Sequence, residues 1–429
     1  MRGDTQSPHK ISQSSNTYSR QKLRNRVFGN FLSFFSTIHD MSNLTALLKK
    51  ISELGKFYQL PDHWLDERPY LFTDVILDLP ISQKNQILDT IKAIESVIAL
   101  PAFSSHVLSP ALTSPLNPGV FFCYDFHLTP EGPKLIEINT NAGGAFLIAL
   151  LEEAHGKEGA LDTYKTRFMQ MFFHEWHQAR GKKRLHSIAI VDEDPYHQYF
   201  YPEFLLFQSL FKAQNIYTVI TDPKSLVRKN GQLIFCTDSA EASIDLVYNR
   251  LTDFDLSNPQ HQHLKEAYSS NEIVLTPHPH AYALYANKYN LTLLSDAALL
   301  RNCGVEEDTI RQLQNTIPVT TLVDPKNADD LWQQRKNLFF KPLANHGGKG
   351  VYRGKTITKR VFKSILENHY IAQTLIPPSE ITIGNLTRKI DFRAYVYNGE
   401  VLNFSGRLYQ GQLTNFRTLG SGFGMVRGQ

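Results

Sequence analysis

Cysteine is nearly absent from this chain: Cys123, Cys236 and Cys303 are the three in 429 residues, they lie far apart, and none forms a C-x-x-C pair. A disulfide framework is therefore excluded, and the expected compartment is a reducing one, the cytoplasm. Long apolar runs are missing too, since no stretch approaches the roughly 20 residues that a membrane-spanning helix needs. Charge of one sign is scarce. The excess is +4 and the isoelectric point about 8.7, and no basic helix carries interleaved aromatics, which argues against nucleic acid as a partner. Residues 1–26 hold one acid, Asp4, among Ser, Gln, Asn, Lys and Arg, without hydrophobic period. The span 1–40 reads as a disordered tail, with an organelle presequence and a start at Met41 left open as alternatives.

What is present fits two or three domains with ample core. From Met41, the residues Leu44, Leu47, Leu48, Ile51 and Leu54 share one helix face. A second helix is predicted over 83–100, ended by Pro101, and strands over 119–128 and 134–144 form a hairpin through Thr129–Pro133. His174-Glu175-Trp176-His177 lacks the H-E-x-x-H spacing of a zinc helix and reads as a partly exposed helix face. The solvated run Lys182-Lys183-Arg184 closes this first region, 41–183. Beyond it, apolar strands alternate with a helix over 203–213 and continue through 231–235 and 244–248, so 184–290 reads as an open α/β sheet with parallel pairing. The third region, 291–429, has a helical connector, a boundary near Ile317-Pro318 and a hairpin turning at Asn398-Gly399.

Several stretches carry chemistry. Phe339-Phe340-Lys341-Pro342 ends a strand and leads through Asn345, His346, Gly347, Gly348, Lys349 and Gly350, a loop whose free N–H groups suit an anion. It matches neither the Walker P-loop nor the G-x-G-x-x-G turn. Glu137 and Asn139 are two apart on a strand, so both leave one face while Ile136 and Ile138 take the other, and their oxygens suit Mg²⁺. Lys288 stands among apolar residues and needs an anion or solvent. Arg250, at a strand's carboxyl end, is placed either to hold a substrate carboxylate or to pair with Asp253 or Asp255. Tyr370–Pro378, with Gln373, reads as a strand and hinge. Asp391 and Arg393 share a face, joined by Arg407 and Arg417 on adjoining strands. Gln412–Gly424 reads as a polar strand followed by a glycine-rich closing loop.

Together these stretches resemble the circularly permuted ATP-grasp ligases, eukaryotic-type glutathione synthetases above all. The family's Glu-Ile-Asn-Thr is similar to residues 137–140, its Lys-Pro and glycine loop to 341–350, and its Leu-Arg-Thr-Lys with the following loop to 416–424. In ordinary ATP-grasp ligases the Glu-x-Asn follows the Lys-Pro strand, whereas here it precedes Lys341. The resemblance implies an α/β ATP-grasp fold, circularly permuted, with an inserted open α/β substrate domain. It implies ATP and Mg²⁺ as cofactors, and a ligase that joins a small-molecule carboxylate to an amine through an acyl phosphate. Lys288, Lys341, His346, Gly347, Gly348, Lys349, Gly350 and Gln373 would bind the nucleotide, and Glu137, Asn139 and Asp391 the metal. Arg393, Arg407 and Arg417 would be catalytic, with Asp125, Arg250 and Asn415 at the substrate. No nucleic acid or membrane partner is implied, and a homodimer is allowed. Two positions depart from the family: Asn345 replaces a metal-binding glutamate and Leu419 a nucleotide lysine. An ATP-grasp kinase and an ATP-binding pseudoenzyme therefore stand as alternatives.

Overall fold

In the computed structural model, residues 41–108, 114–238, 241–343 and 350–428 are described. The tail expected over 1–40 lies outside them, as do Asn345, His346, Gly347, Gly348 and Lys349 of the glycine loop. The described residues form a mixed α/β fold with four sheets. The largest has seven strands: β1 (Phe72–Asp78), β2 (Phe122–Thr129), β3 (Gly132–Asn139), β15 (Ser379–Ile383), β16 (Leu386–Tyr397), β17 (Glu400–Tyr409) and β18 (Gly422–Arg427). Their order is β1-β18-β17-β16-β2-β3, with β15 also on β16. All pairs are antiparallel except β1 with β18.

The second sheet is parallel, in the order β10 (Val274–Thr276), β9 (Leu246–Asn249), β4 (Ser187–Val191), β5 (Tyr217–Thr221). This is the open sheet that the alternating pattern predicts. The strand expected at 231–235 does not extend it. Gly231 takes a positive φ of 74°, and the chain turns back into a separate antiparallel sheet of β6 (Leu226–Lys229), β7 (Gln232–Cys236) and β8 (Glu241–Ile244). The fourth sheet joins β11 (Thr320–Leu322), β14 (Tyr370–Thr374), β12 (Leu338–Pro342) and β13 (Tyr352–Arg353), again antiparallel.

Strand alternation gives the large sheet two unlike faces. Phe122, Tyr124 and Phe126 of β2, with Phe392, Ala394 and Val396 of β16, pack on helix Ile81–Ile98 through its Ile87, Ile91, Ile94 and Val97. Pro101 does not merely end that helix; it opens the next short one, Pro101–Ser104. The intervening residues of the same strands, Asp125, His127, Asp391 and Arg393, face a cleft. A second core centres on the helix Ala145–Ala154, apolar from Ala145 to Leu151, where Phe146 meets Phe207 at 5.0 Å and Phe168 at 5.4 Å between ring centroids. Glu175, expected on an exposed face, is fully buried there. It accepts hydrogen bonds from Asn117 Nδ2 (2.8 Å), Gly119 N (3.0 Å) and the Tyr397 hydroxyl (2.9 Å).

The C-terminal stretch also differs from expectation. Residues 412–421 form no strand, and the glycines that follow belong to β18, an interior strand. Gly422 has φ +133°, and a Cβ there would lie 2.9 to 3.0 Å from backbone atoms of Phe72. Only glycine suits that approach. Gly422→Ala is expected to lower the unfolding free energy by about 2 kcal/mol, read as a reduced urea midpoint at unchanged m-value.

Candidate active site

The cleft is built by register. Across the large sheet Asp125 stands opposite Glu137 on one side and Arg393 on the other, and Asp391 stands opposite Arg407. Asp125 is 1% exposed. Its carboxylate accepts two hydrogen bonds from Arg393, Nε and one terminal nitrogen each at 2.7 Å, and Arg407 approaches Oδ2 at 2.8 Å. Burial alone would raise its pKa, but the two guanidiniums outweigh that and hold it below the usual carboxylate range. Asp125 is thus the anchor of two arginines, and it lines the cleft with them. Asp391 is similarly engaged. Arg407 Nε and the Thr414 hydroxyl each donate to it at 2.5 Å.

Glu137 and Asn139 do share the cleft face, and Asn139 Nδ2 donates to Glu137 Oε1 and Asp125 Oδ2, both at 3.2 Å. Burial pushes the Glu137 pKa up, yet Lys288, whose Nζ lies 4.0 Å from Oε2, brings the net shift below the ordinary value. Ile136 departs from expectation. Glu137 pairs with Asp125 while Leu135 pairs with Phe126, so Ile136 is the extra residue of a β-bulge. It lines the cleft instead of the core, and its carbonyl, released from the ladder, accepts from Lys341 Nζ at 3.0 Å.

Lys341 comes from the other wall, at the end of β12. Its ammonium also donates to Gln373 Oε1 (2.7 Å), and Gln373 Nε2 donates to the Thr320 hydroxyl (3.2 Å). Burial, aided by nearby Lys288, lowers the Lys341 pKa to about 8 despite Glu137 and Asp125. The site therefore faces two antiparallel sheets across a cleft, with three carboxylates (Glu137, Asp125, Asp391) against four cations (Lys288, Lys341, Arg393, Arg407). The positive excess suits an anion.

Of the other expected residues, Gly350 is described, with φ +70°. Arg250 is buried at the carboxyl end of β9 and lines a second cavity, which shares Asn139, Lys288 and Arg393 with the first. It is not the surface partner of Asp253, which instead accepts from His261, Ser257 and Asn258. Arg417 is exposed and lines neither cavity, and Asn415 is spent on the carbonyls of Gln410 and Leu413. Their loop does reach the cleft, through Gln412, Leu413 and Thr414. Three cleft residues escaped the sequence reading: His127, Tyr409 and Thr414. The first two follow Asp125 and Arg407 at the strand period of two, a usable signal, whereas Thr414 lies in a loop and has none. His127 donates Nδ1–H to the Ile376 carbonyl (2.8 Å), and burial keeps its pKa below the ordinary value.

Thr414 holds the 410–421 loop against Asp391, and Arg417 projects from that loop. Removing a buried hydrogen bond to a charged group costs about 1.5–3 kcal/mol. Thr414→Val is therefore expected to raise the rate of tryptic cleavage after Arg417 by about tenfold or more, with the rest of the chain still protected.

Neither any protein-family model nor any curated protein matches this sequence. Solved structures do. A glutathione synthetase-like effector from Globodera pallida superposes with a TM-score of 0.51 over 88% of this chain and 96% of its own, at 13% identity. A candidate γ-glutamylcysteine synthetase from Methylobacillus flagellatus follows at 0.47, 11% identity, 78% and 83% coverage. The ATP-grasp ligase PsnB, complexed with a minimal precursor, Mg and ADP, gives 0.29 at 13% identity over 56% and 76%. The first of these bears on the fold, and at such identity on the fold alone. The chain has the fold of a glutathione synthetase-like protein, as its sequence motifs lead one to expect.

Proposed function

We propose that this protein is an ATP-dependent carboxylate–amine ligase that forms an amide through an acyl phosphate. The observation that carries the reading is the meeting of Lys341 from one sheet with Glu137, Lys288, Arg393 and Arg407 on the other side of the cleft. Glu137 and Asn139 precede Lys341 in the chain, which supports a circularly permuted ATP-grasp. The parallel sheet over 187–276 would be its inserted substrate domain, with regions 41–183, 184–290 and 291–429 as proposed units. Among the described residues no helix is long and apolar enough to cross a membrane, in keeping with the cytoplasmic, small-molecule role proposed here; a homodimer is compatible with it.

In this reading Lys288 and Lys341 neutralise the nucleotide phosphates. Arg393 and Arg407, fixed by Asp125, hold the substrate carboxylate in line with the γ-phosphorus, so that its oxygen attacks and ADP leaves. An amine then displaces phosphate. Positioning and charge neutralisation carry such transfers. Mg²⁺ fits this donor set with two protein ligands rather than three. Glu137 offers a carboxylate, and Asn139 an amide oxygen once its side chain is turned. Asp391 is occupied by Arg407 and Thr414, and among the described residues no three His, Cys, Asp or Glu side chains could hold a metal. Mg²⁺ usually takes one or two carboxylates and completes its shell with phosphate and water, and it would supply charge at the β- and γ-phosphates.

That same thin ligand set favours a second reading, a nucleotide-binding protein without turnover. A phosphate-release and thermal-shift screen with Mg²⁺-ATP against paired acids and amines separates them. Phosphate released when one acid and one amine are both present supports the ligase. Stabilisation by ATP without release from any pair supports the binding protein, and no stabilisation at all overturns both.

Within the ligase reading, Glu137→Ala is expected to lower kcat at least about a hundredfold, about 2.7 kcal/mol of barrier. Wild-type turnover at saturating Mg²⁺ would remove Glu137 from the site. Because the free Lys341 loses its proton near pH 8 and the nucleotide needs it charged, ATP affinity is expected to fall about tenfold between pH 8 and 9.5. Binding at pH 8.5 should take up protons, which titration calorimetry in buffers of different ionisation enthalpy would read.

A further inference from the structure

Asp125, Asp391 and Glu137 each stand beside a cation, and the buried Glu175 accepts three hydrogen bonds. Glu95, half-buried on helix Ile81–Ile98, has neither. The hydroxyls of Tyr124 and Tyr285 donate to its two oxygens at 2.9 and 2.6 Å, and among the described residues no Lys or Arg forms an ion pair with it. Burial holds its pKa above the ordinary carboxylate value despite both hydroxyls.

Glu95 opens onto a further cavity, of about 280 Å³, on the far side of the large sheet from the cleft. The strand alternation that turns Asp125 and His127 toward the cleft turns Phe122 and Tyr124 this way. Tyr285 comes from a π-helical turn, Tyr282–Ala286, closed by the Asn287 N–H on the Tyr282 carbonyl at 3.0 Å. Such turns are rare and often mark functional sites. Its ring lies 4.6 Å from that of Phe122, centroid to centroid, and both line the cavity. His280 is on the wall as well. Its Nδ1 is buried without a hydrogen-bond partner among the described residues, and burial keeps the ring below its ordinary pKa, so that as the neutral Nε2–H tautomer it presents an acceptor.

An incompletely bonded carboxylate, a neutral imidazole nitrogen and two aromatic rings together select a cation that carries N–H groups. An anion would confront Glu95, and a neutral alcohol would leave its charge uncompensated. A quaternary ammonium has no proton to give His280. The rest of the wall is aliphatic, with Leu284, Pro118 and Leu116, the last of them 75% exposed. We propose that this cavity binds a small primary alkylamine as its ammonium ion, its N–H groups on Glu95 and His280 and its chain against Leu116 and Leu284. Because the cavity and the cleft lie on opposite faces of the sheet, this ammonium is distinct from any amine joined in the cleft, and its binding stands apart from the ligase reading.

Ligand-observed NMR on the full chain at neutral pH, with n-butylamine, n-butanol, tetramethylammonium and butyrate, tests the assignment. n-Butylamine should bind at least about tenfold more tightly than each of the other three. Glu95→Gln keeps an acceptor and a donor for the two hydroxyls while removing the charge. It should weaken n-butylamine by about tenfold or more, to within about threefold of n-butanol. A carboxyl whose pKa rises on folding costs stability once ionised, so Glu95→Gln should unfold no more readily than wild type above neutral pH, and lost binding cannot be ascribed to unfolding. Glu137→Ala, in the cleft, should bind n-butylamine as wild type does. Tetramethylammonium binding as tightly as n-butylamine would overturn the proposal, as would wild-type affinity in Glu95→Gln, lost binding in Glu137→Ala, or no n-butylamine bound below about 50 mM. Mg²⁺-ATP titrated separately into the same protein keeps the two readings apart. Amine bound without ATP sinks the ligase and leaves this cavity assigned, whereas ATP bound without amine does the reverse.

Discussion

A carboxylate almost wholly removed from water, Asp125, is the constraint on which the cleft depends. Burial of a lone charge is prohibitive, and burial of a pair is tolerable only with good geometry and full hydrogen bonding. Here the compensation comes from two different strands, Arg393 on β16 and Arg407 on β17, with Asn139 of β3 adding a third contact. The order β3-β2-β16-β17 is thereby specified by charge as well as by the backbone ladder. A slip of one residue would turn Asp125 into the hydrophobic face that holds Phe122, Tyr124 and Phe126. The arginines are consequently held in place by the carboxylate between them.

The two walls of the cleft are joined by few but specific polar contacts. Lys341 reaches from β12 to the carbonyl that the bulge at Ile136 exposes, and His127 reaches from β2 to the Ile376 carbonyl. Both use a backbone acceptor, so neither consumes a side-chain charge of the site. Lys341 gives up basicity for this position, which leaves its charge responsive to an arriving anion.

Much of this was legible from spacing. Glu137 and Asn139, and Asp391 and Arg393, share faces because strand side chains repeat every two residues, and the parallel sheet was visible in the alternation of apolar strands with the helix near 203–213. What escaped has physical reasons. A bulge inserts one residue without any change of composition, so Ile136 read as core. Whether a charged residue meets solvent or a partner depends on strands distant in sequence, which is why Glu175 read as exposed. Gly422 and Gly424 looked like loop residues because glycine marks both turns and close backbone approach, and only the passage of β1 beside them, Phe72 at Gly422 and Val75 at Gly424, decides which. Arg417 shares its neighbours' composition but sits in a loop that turns it outward.

The pairing of β1 with β18 brings Phe72 beside Phe423, so the largest sheet is stitched from segments separated by nearly the whole described chain. Its middle can zip locally through the hairpins β2-β3 and β16-β17, but β18 must find β1 across the three other sheets. Such non-local, parallel closure is slow because loop entropy is lost before contacts repay it. A ribosome-bound chain must therefore hold β1 and the β2-β3 hairpin with open edges until the residues after 386 emerge. That interval is one of aggregation risk, when chaperones would matter more than they do for the finished protein.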